Sequence, residues 1–289
     1  MELSVIIPIY NEEAALPYVL PGIIRFCETN GFYVILVNDG SKDNSLNIIK
    51  ELSANHSEMV KIVSHKMNKG YGGALKSGVT YSNTEYSIFI DADGQHRLED
   101  ISNLFAKICA TDADMVIGSR KGQRGKWFRS LGKTIIRMIA KILMDVHVYD
   151  INSGMKIFRT ELGKKYIHLY PDTMSFSDII CLVFINNRHV VLEEPIQIME
   201  RKAGKSTIGI HTAFQTVMEI LNIIIMFNPM KIFLPISIVL FILGFGWGLK
   251  FFLNGLGISI GSSMLLIMSM LVFLLGLIAE QLSAIRKNK

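Results

Sequence analysis

The sequence predicts a doubly wound, mainly parallel α/β sheet, followed by an interfacial helix and a hairpin of two transmembrane helices. Three observations carry this expectation. Short apolar runs rich in Val and Ile alternate with helical patterns in units of about thirty residues, the rhythm of a parallel sheet with crossover helices. Several of those runs end in acidic or glycine-rich turns, where open sheets of this kind bind ligands. Near the C-terminus, Ile232 to Leu249 gives 18 positions without a charge and Phe251 to Ala279 gives 29 more, and each is long enough to cross a bilayer.

Taken in order, the first strand runs from Ser4 to Ile9, after which Tyr10 and Asn11 turn the chain and Glu12 and Glu13 open a helix. A second strand, Tyr33 to Val37, ends in Asn38, Asp39, Gly40 and Ser41, with Ser41 or Asp43 placed to cap the next helix. The third, Met59 to Ser64, leads into KGYGGALKSG, where Gly70, Gly72 and Gly73 would let backbone approach a ligand before a helix from Ala74. Ser87 to Ile90 and Met115 to Gly118 are the fourth and fifth strands. Arg129, Lys133, Arg137 and Lys141 then make one helical stripe, and Phe128, Leu131, Ile135, Ile139 and Ile142 an apolar one. That pattern suits a helix in a membrane interface and equally an amphipathic helix on the soluble core. Met155 to Phe158 and His189 to Leu192 read as strands around a helix from Phe176 to Asn186. A second interfacial helix is expected from Thr207 to Phe227, with Pro229 and Pro235 marking the entry into the membrane.

Composition narrows the class. The chain has 289 residues, 50% of them apolar, and a formal net charge of +5. This charge suits an anionic membrane surface or phosphate-bearing ligands, and the two spans make nucleic acid a poor fit. Cys27, Cys109 and Cys181 are widely spaced and odd in number, as expected of reduced structural thiols rather than disulfides or a zinc site. Glu2 is acidic and the apolar run from Val5 is broken at Pro8 and Asn11, so no secretory signal is expected. Lys250 is the one charge between the two apolar runs, whereas Arg286, Lys287 and Lys289 follow the second; both ends are therefore expected on the cytoplasmic side of the inner membrane.

The chemistry centres on FIDADGQH, Phe89 to His96. Asp91 and Asp93 lie one residue apart beyond the fourth strand, and in extended backbone both carboxylates would face one spot. Two hard oxygen donors there suit Mg²⁺ or Mn²⁺, with Gln95 as a third oxygen. An EF-hand loop starting at Asp91 is excluded, because His96 stands where glycine is needed and Ser102 where glutamate is needed. Asp39, at the end of the second strand, offers an acceptor for base N–H or ribose hydroxyl groups. A dinucleotide fingerprint is absent from the glycines at 70 to 73, although Lys69 is in place to touch a phosphate. Arg120 and Lys121 end the fifth strand, and Asp150, Asn152, Ser153 and Gly154 form a later polar cluster. Arg201, Lys202, Lys205 and Ser206, with Gly204 loosening the turn, fall about two dozen residues before the first span, near lipid headgroups.

Six pieces in order, VIIPIYNEE (Val5 to Glu13), VNDGS (Val37 to Ser41), DADGQH (Asp91 to His96), GSR (Gly118 to Arg120), DINSG (Asp150 to Gly154) and EEPIQIMERKAGKS (Glu193 to Ser206), carry a resemblance. The chain resembles the family 2 inverting glycosyltransferases of the polyprenyl-phosphate class, such as dolichyl-phosphate mannose synthases and undecaprenyl-phosphate glucosyltransferases. The resemblance implies an A-type glycosyltransferase fold in a cytoplasmic domain at 1–206, a juxtamembrane amphipathic helix at 207–229, and two transmembrane helices with a short basic tail at 230–289. It implies that Pro8, Tyr10, Asn11, Glu13, Asp39 and Lys69 line the nucleotide site, and that Asp91, Asp93 and Gln95 hold metal and diphosphate. It also implies that Arg120 faces phosphate, that Asp150 orients sugar or acceptor or serves as a base, and that Arg201, Lys205 and Ser206 face the acceptor or sugar phosphate. Asn38 departs from the pattern, since a second aspartate is frequent there. The implied donor is a nucleotide sugar, UDP-glucose or UDP-N-acetylglucosamine ahead of GDP-mannose, and the implied acceptor is a polyprenyl phosphate at the lipid bilayer. Its phosphate ionises a second time near about pH 6, so a strong base is unnecessary. Oligomeric state is left open, a homo-oligomer included.

Three other readings compete. In a processive polysaccharide synthase, Gln123 to Trp127 would be the acceptor motif, but Lys126 replaces its arginine and the segment follows Asp93 too closely. A membrane-anchored scaffold with an inactive transferase fold is disfavoured by the intact Asp91, Asp93 and Arg120 set. A channel or flippase lacks charged residues within the two apolar runs.

Overall fold

The computed structural model describes residues 2–120, 148–151, 153–199, 225, 228–257 and 259–287. They fall into two compact units, one built on a β-sheet and one containing two long apolar helices. The basic stripe from Arg129 to Lys141, the Gln123–Trp127 segment, Lys121, Asn152, Arg201, Lys205 and Ser206 lie outside the described residues, as does the helix expected from Thr207 to Phe227 apart from Ile225.

In the first unit, β1 (Leu3–Ile9), β2 (Tyr33–Asn38), β3 (Val60–Ser64), β4 (Tyr86–Phe89), β5 (Met115–Ser119), β6 (Lys156–Arg159) and β7 (Val191–Pro195) form one sheet in the order β3-β2-β1-β4-β6-β5-β7. Strands β1, β2, β3 and β4 are parallel, as are β5 and β7. Strand β6 runs antiparallel to both β4 and β5. Its sequence showed a strand but not a direction. The chain enters β6 from the polar cluster at 150–154, on the edge where β4 and β5 end, so it can only run back against them. This reversal sets that cluster beside the ends of β4 and β5.

The crossover helices are α1 (Leu16–Asn30), α2 (Ser45–Ser53), α3 (Tyr71–Tyr81), α4 (Leu98–Thr111), α5 (Thr160–Lys165) and α6 (Phe176–Asn186). Leu3, Val5, Ile7 and Ile9 of β1 belong to one buried cluster with Leu16, Leu20, Ile23, Ile24 and Cys27 of α1. Ile6, on the other face, packs against α3 so closely that a Cβ on Gly78 would lie 2.3 Å from its Cγ2. Burial on both faces is why β1 reads as a nearly continuous apolar run, each large side chain contributing about 1.5–3 kcal/mol. Pro8 interrupts that run in a central strand, where a missing N–H normally breaks the ladder. Here the Ile6 carbonyl accepts from Ile90 N, so Ile6 and Pro8 both face the β4 side, and the β4 pairing ends at Ile6. No ladder bond is lost.

Several element ends differ from expectation, β7 running Val191–Pro195 rather than from His189 to Leu192. Helix α1 starts at Leu16, because Glu12 and Glu13 sit in a turn bonded to the 41–45 loop. Neither Ser41 nor Asp43 is the cap of α2: that position is Asn44, which makes no side-chain cap bond, and Asp43 just before it accepts from Ser45 N through Oδ1 at 3.0 Å. Helix α3 begins at Tyr71, so two of the three glycines before Ala74 are already helical.

In the second unit, α7 (Met230–Leu253) and α8 (Ile260–Lys287) are each long and apolar enough to cross a membrane. They pack through small residues, as membrane helices do. A Cβ on Gly276 would lie 2.6 Å from Phe233 Cβ, and Ser269 Oγ donates to the Ser237 carbonyl at 2.8 Å. Lys250 is not in the connecting loop, as the charge pattern suggested, but in the last turn of α7. There its charge complements the helix C-terminus.

Candidate active site

The strand order reverses at β1: β2 and β3 lie to one side of it, β4 to the other. In such sheets the crevice beyond the strand ends at the reversal is the ligand site. Asp39 follows β2 on one side of that crevice, and Asp91 follows β4 on the other.

On the β2 side, the turns after β1 and β2 brace each other. Asn11 N donates to Ser41 Oγ, Asn11 Oδ1 accepts from Lys42 N at 2.8 Å, and Glu13 Oε2 accepts from Asn44 N at 2.9 Å. Asn11 and Glu13 thus shape the rim through these bonds, while Tyr10 beside them is exposed. Asp39 is buried. Its Oδ1 accepts from Lys69 N at 2.8 Å and lies 2.7 Å from His65 Nδ1, and the other ring nitrogen is 2.8 Å from Ser77 Oγ. Lys69 therefore meets Asp39 through its backbone. Sequence reasoning missed His65, whose place directly after β3 is the same strand-end signal that singled out Asp39 and Asp91.

The glycines of KGYGG do not open backbone to a ligand. Gly72 and Gly73 donate their N–H groups to the Asp172 carbonyl, and a Cβ on Gly72 would lie 2.3 Å from the Pro171 carbonyl oxygen. Their smallness lets this turn pack against 171–173 of the chain itself. Tyr71 between them is half-buried and donates its hydroxyl to Asp91 Oδ1 at 3.0 Å.

Asp91 lies beyond the end of β4 at Phe89, and Asp93 sits in a turn rather than in a strand: Gly94 has φ 75°, and Asp93 Oδ1 accepts from Gln95 N at 3.0 Å. The alternation argument fails, but the two charges still converge. Burial pushes the Tyr71 hydroxyl well above the usual phenol range, and the Asp91 and Asp93 charges push it further. Asp91 is partly exposed, Asp93 is buried, and the buried His96 ring places Nε2 3.5 Å from Asp91 Oδ2. Gln95 touches this turn through its backbone, N to Asp93 and carbonyl oxygen to Met199 N.

Arg120, directly after β5, is held by Asp150 in a bidentate pair, Nε to Oδ2 and Nη2 to Oδ1 both at 2.7 Å, with its backbone N on Oδ2 at 2.9 Å. Burial pushes the Asp150 carboxyl up, but the Arg120 hydrogen bonds and charge outweigh it and hold the group below the usual carboxylate range. A carboxylate so occupied does not suit the role of base. Glu193 of β7 fixes it from behind, Oε1 accepting from Tyr149 N and Asp150 N at 2.9 and 2.8 Å. Both Asp91 and Asp178 lie close enough to strengthen the Arg120 charge.

These groups fit a divalent ion. Asp91 and Asp93 are hard donors whose charges both reach the Tyr71 hydroxyl, and Gly154 leaves the flank of Asp91 clear, since a Cβ there would lie 2.9 Å from Oδ2. No cluster of three His, Cys, Asp or Glu ligands occurs among the described residues, so an ion held here would have to take its other ligands from substrate phosphates and water. Gly154→Ala should therefore weaken Mn²⁺ binding several-fold, by about 1 kcal/mol, with little change in melting temperature. Titration calorimetry beside a thermal melt checks this, and unchanged Mn²⁺ affinity would count against the placement. The cysteines take no part: burial pushes Cys27 and Cys181 up to about 12, and Cys109 also upward.

A mainly parallel sheet with acidic groups facing across its reversal, and an arginine clamped beside them, defines an A-type glycosyltransferase scaffold. The chain belongs to glycosyl transferase family 2, whose model matches residues 4–167, and residues 228–285 match the GtrB C-terminal hairpin; the two together are those of the polyprenyl-phosphate glycosyltransferases. Solved structures agree on the fold. Glucosyl-3-phosphoglycerate synthase from Mycobacterium tuberculosis, in complex with Mn²⁺, UDP and phosphoglyceric acid, is 15% identical with a TM-score of 0.58, over 77% of this chain and 78% of that one. S. aureus TarS 1-349 in complex with UDP-GlcNAc is 17% identical with a TM-score of 0.55, over 79% and 67%. In the structure of TarS 1-349 alone, the match spans 66% of that chain. The mannosyltransferase PcManGT from Pyrobaculum calidifontis, with GDP-Man and Mn²⁺, is 14% identical with a TM-score of 0.53, over 78% and 63%.

Proposed function

We propose that the protein transfers a sugar from a nucleotide-sugar donor to a polyprenyl phosphate with inversion, releasing the nucleoside diphosphate, in a reaction that needs Mg²⁺ or Mn²⁺. The observation that carries this is the charge of the crevice. Among the described residues, the carboxylates Asp91, Asp93, Asp150 and Asp178 outnumber the cations Arg120 and the buried Lys156 in overlapping neighbourhoods. A diphosphate would be repelled from such a site unless a divalent cation came with it, held by Asp91 and Asp93 with Gln95. Bound there, that ion supplies charge stabilisation to the departing diphosphate. Arg120, its guanidinium oriented by Asp150, faces the same developing charge. Asp39 and the rim formed by Pro8, Tyr10, Asn11 and Glu13 receive the nucleotide, while Arg201, Lys205 and Ser206 receive the anionic acceptor. The acceptor phosphate is already largely ionised at neutral pH, so no side chain need remove a proton.

The apolar helices α7 and α8 make a lipid acceptor the natural partner and the inner membrane the natural site, with the catalytic domain and both termini cytoplasmic. UDP-glucose and UDP-GlcNAc are the favoured donors, as in the solved relatives carrying UDP, with GDP-mannose next. Purified protein, a panel of sugar nucleotides, Mg²⁺ or Mn²⁺ and undecaprenyl or dolichyl phosphate should yield a lipid heavier by one sugar in mass spectrometry. Long polymer would favour a processive synthase instead. Failure with every donor would favour an inactive scaffold.

A further inference from the structure

We propose that Lys156 is a positioning residue for sugar transfer: from inside the core it fixes the 150–154 loop that joins the Arg120 clamp to the Asp91 carboxylate. The inference rests on the transferase reading above and deepens it.

Lys156 is wholly buried in the middle of the sheet, paired with Phe89 of β4 on one side and Ile117 of β5 on the other. A lysine in such a place carries a large desolvation penalty, so its ammonium must find partners. It donates to the Ser153 carbonyl and, at 2.6 Å, to Ser177 Oγ of α6, which itself donates to the Ser153 carbonyl at 2.6 Å. Ser153 N in turn donates to the Asp150 carbonyl at 3.2 Å. One end of this short loop carries the Asp150 carboxylate that grips Arg120. The other end is Gly154, against which Asp91 Oδ2 rests.

Phe158, two residues along the same face, meets Phe89 at 4.9 Å between ring centroids, and Phe89 meets Phe176 of α6 at 5.6 Å. An aliphatic side chain in place of Lys156 would suit that aromatic face. A lysine retained there instead tethers the loop, and does so with a charge. The charged and titratable groups around it are Cys181 and Asp178 of α6, Asp150 of the loop and Arg120 after β5. Burial pulls the Lys156 ammonium down to about 8, so it changes state near the working range.

The test compares wild type with Lys156→Met, which keeps the length of the side chain and removes its charge and donors. The full-length protein in detergent or nanodiscs is assayed for lipid-linked sugar over pH 6.5 to 9.5, roughly spanning the expected transition. Wild type should lose kcat as pH rises through about 8. Lys156→Met should show kcat lowered by about ten-fold or more at neutral pH, donor KM within about two-fold, and no such alkaline limb. Its melting temperature should hold or rise, since the methionine removes a buried charge. Lys156→Gln, which keeps one donor group without the charge, should fall between the two and replaces Lys156→Met if that variant does not fold. A variant with wild-type kcat, an alkaline limb that persists, or a loss confined to donor KM would each overturn the positioning role. If wild type forms no lipid-linked sugar, the transferase reading fails and this inference with it; if wild type is active and the variants match it, only the inference fails.

Discussion

Asp93→Ala should abolish sugar transfer while the protein still inserts into membranes. Asp93 is 5% exposed, and its carboxylate does two things that must be separated. Oδ1 accepts from Gln95 N, which shapes the turn after β4, and the charge lies beside Tyr71 and Asp91. Asp93→Asn keeps an acceptor for Gln95 N and removes only the charge. If the charge holds a metal, both variants should fall by at least about 10²–10³ in kcat, and Mn²⁺ binding should be lost in both. If the residue only shapes the turn, the asparagine variant should turn over nearly as wild type does, and the metal assignment is then wrong. Measuring Mn²⁺ binding without substrates separates a lost ion from a misfolded crevice.

The contrast between Asp93 and its neighbours shows which parts of the site the sequence made legible. Strands that are buried on both faces, such as β1 and β4, announce themselves as apolar runs, and the groups that follow them fall at the ligand edge by topology alone. That is how Asp39 and Asp91 could be named from their places after strands, whereas the role of Arg120, which ends the fifth strand, came from the resemblance. The direction of β6 could not, because four residues of Lys-Ile-Phe-Arg carry no sign of which neighbour they pair with or which way they run. With that direction unknown, nothing in the sequence set Lys156 in the middle of the sheet, where it is wholly buried. The KGYGG glycines misled for a related reason: glycine signals a close approach but not what approaches. Here it is the carbonyls of 171–173, about a hundred residues away. Partners that come from separate elements, among them His65 with Asp39 and Glu193 with Asp150, 26 and 43 residues apart, likewise leave no periodic trace.

Breaking the Arg120–Asp150 pair should have the second largest effect, and its pH behaviour decides what Asp150 does. Arg120→Lys keeps the charge but cannot make the two-pronged contact, so it should lose about 10²-fold in kcat. Arg120→Ala, Asp150→Ala and the double variant should lose similar amounts, because the two side chains act as a unit. Losses that multiply in the double variant would mean two independent roles. The Asp150 carboxyl is held below its ordinary value of about 3.9 by Arg120, against the upward push of burial. Its contribution to stability is therefore full above that ordinary value and is lost only as pH falls through the lower, folded one. Nothing about Asp150 titrates between pH 5 and 8. An acid limb of transfer near about pH 6 then does not come from Asp150, and the acceptor phosphate, whose second ionisation falls there, accounts for it. Asp150→Asn should lower the plateau of the pH profile and leave that limb where it was. Should the limb instead disappear with the carboxylate, Asp150 would be a base after all, and the account of an acceptor that arrives already ionised would have to be given up.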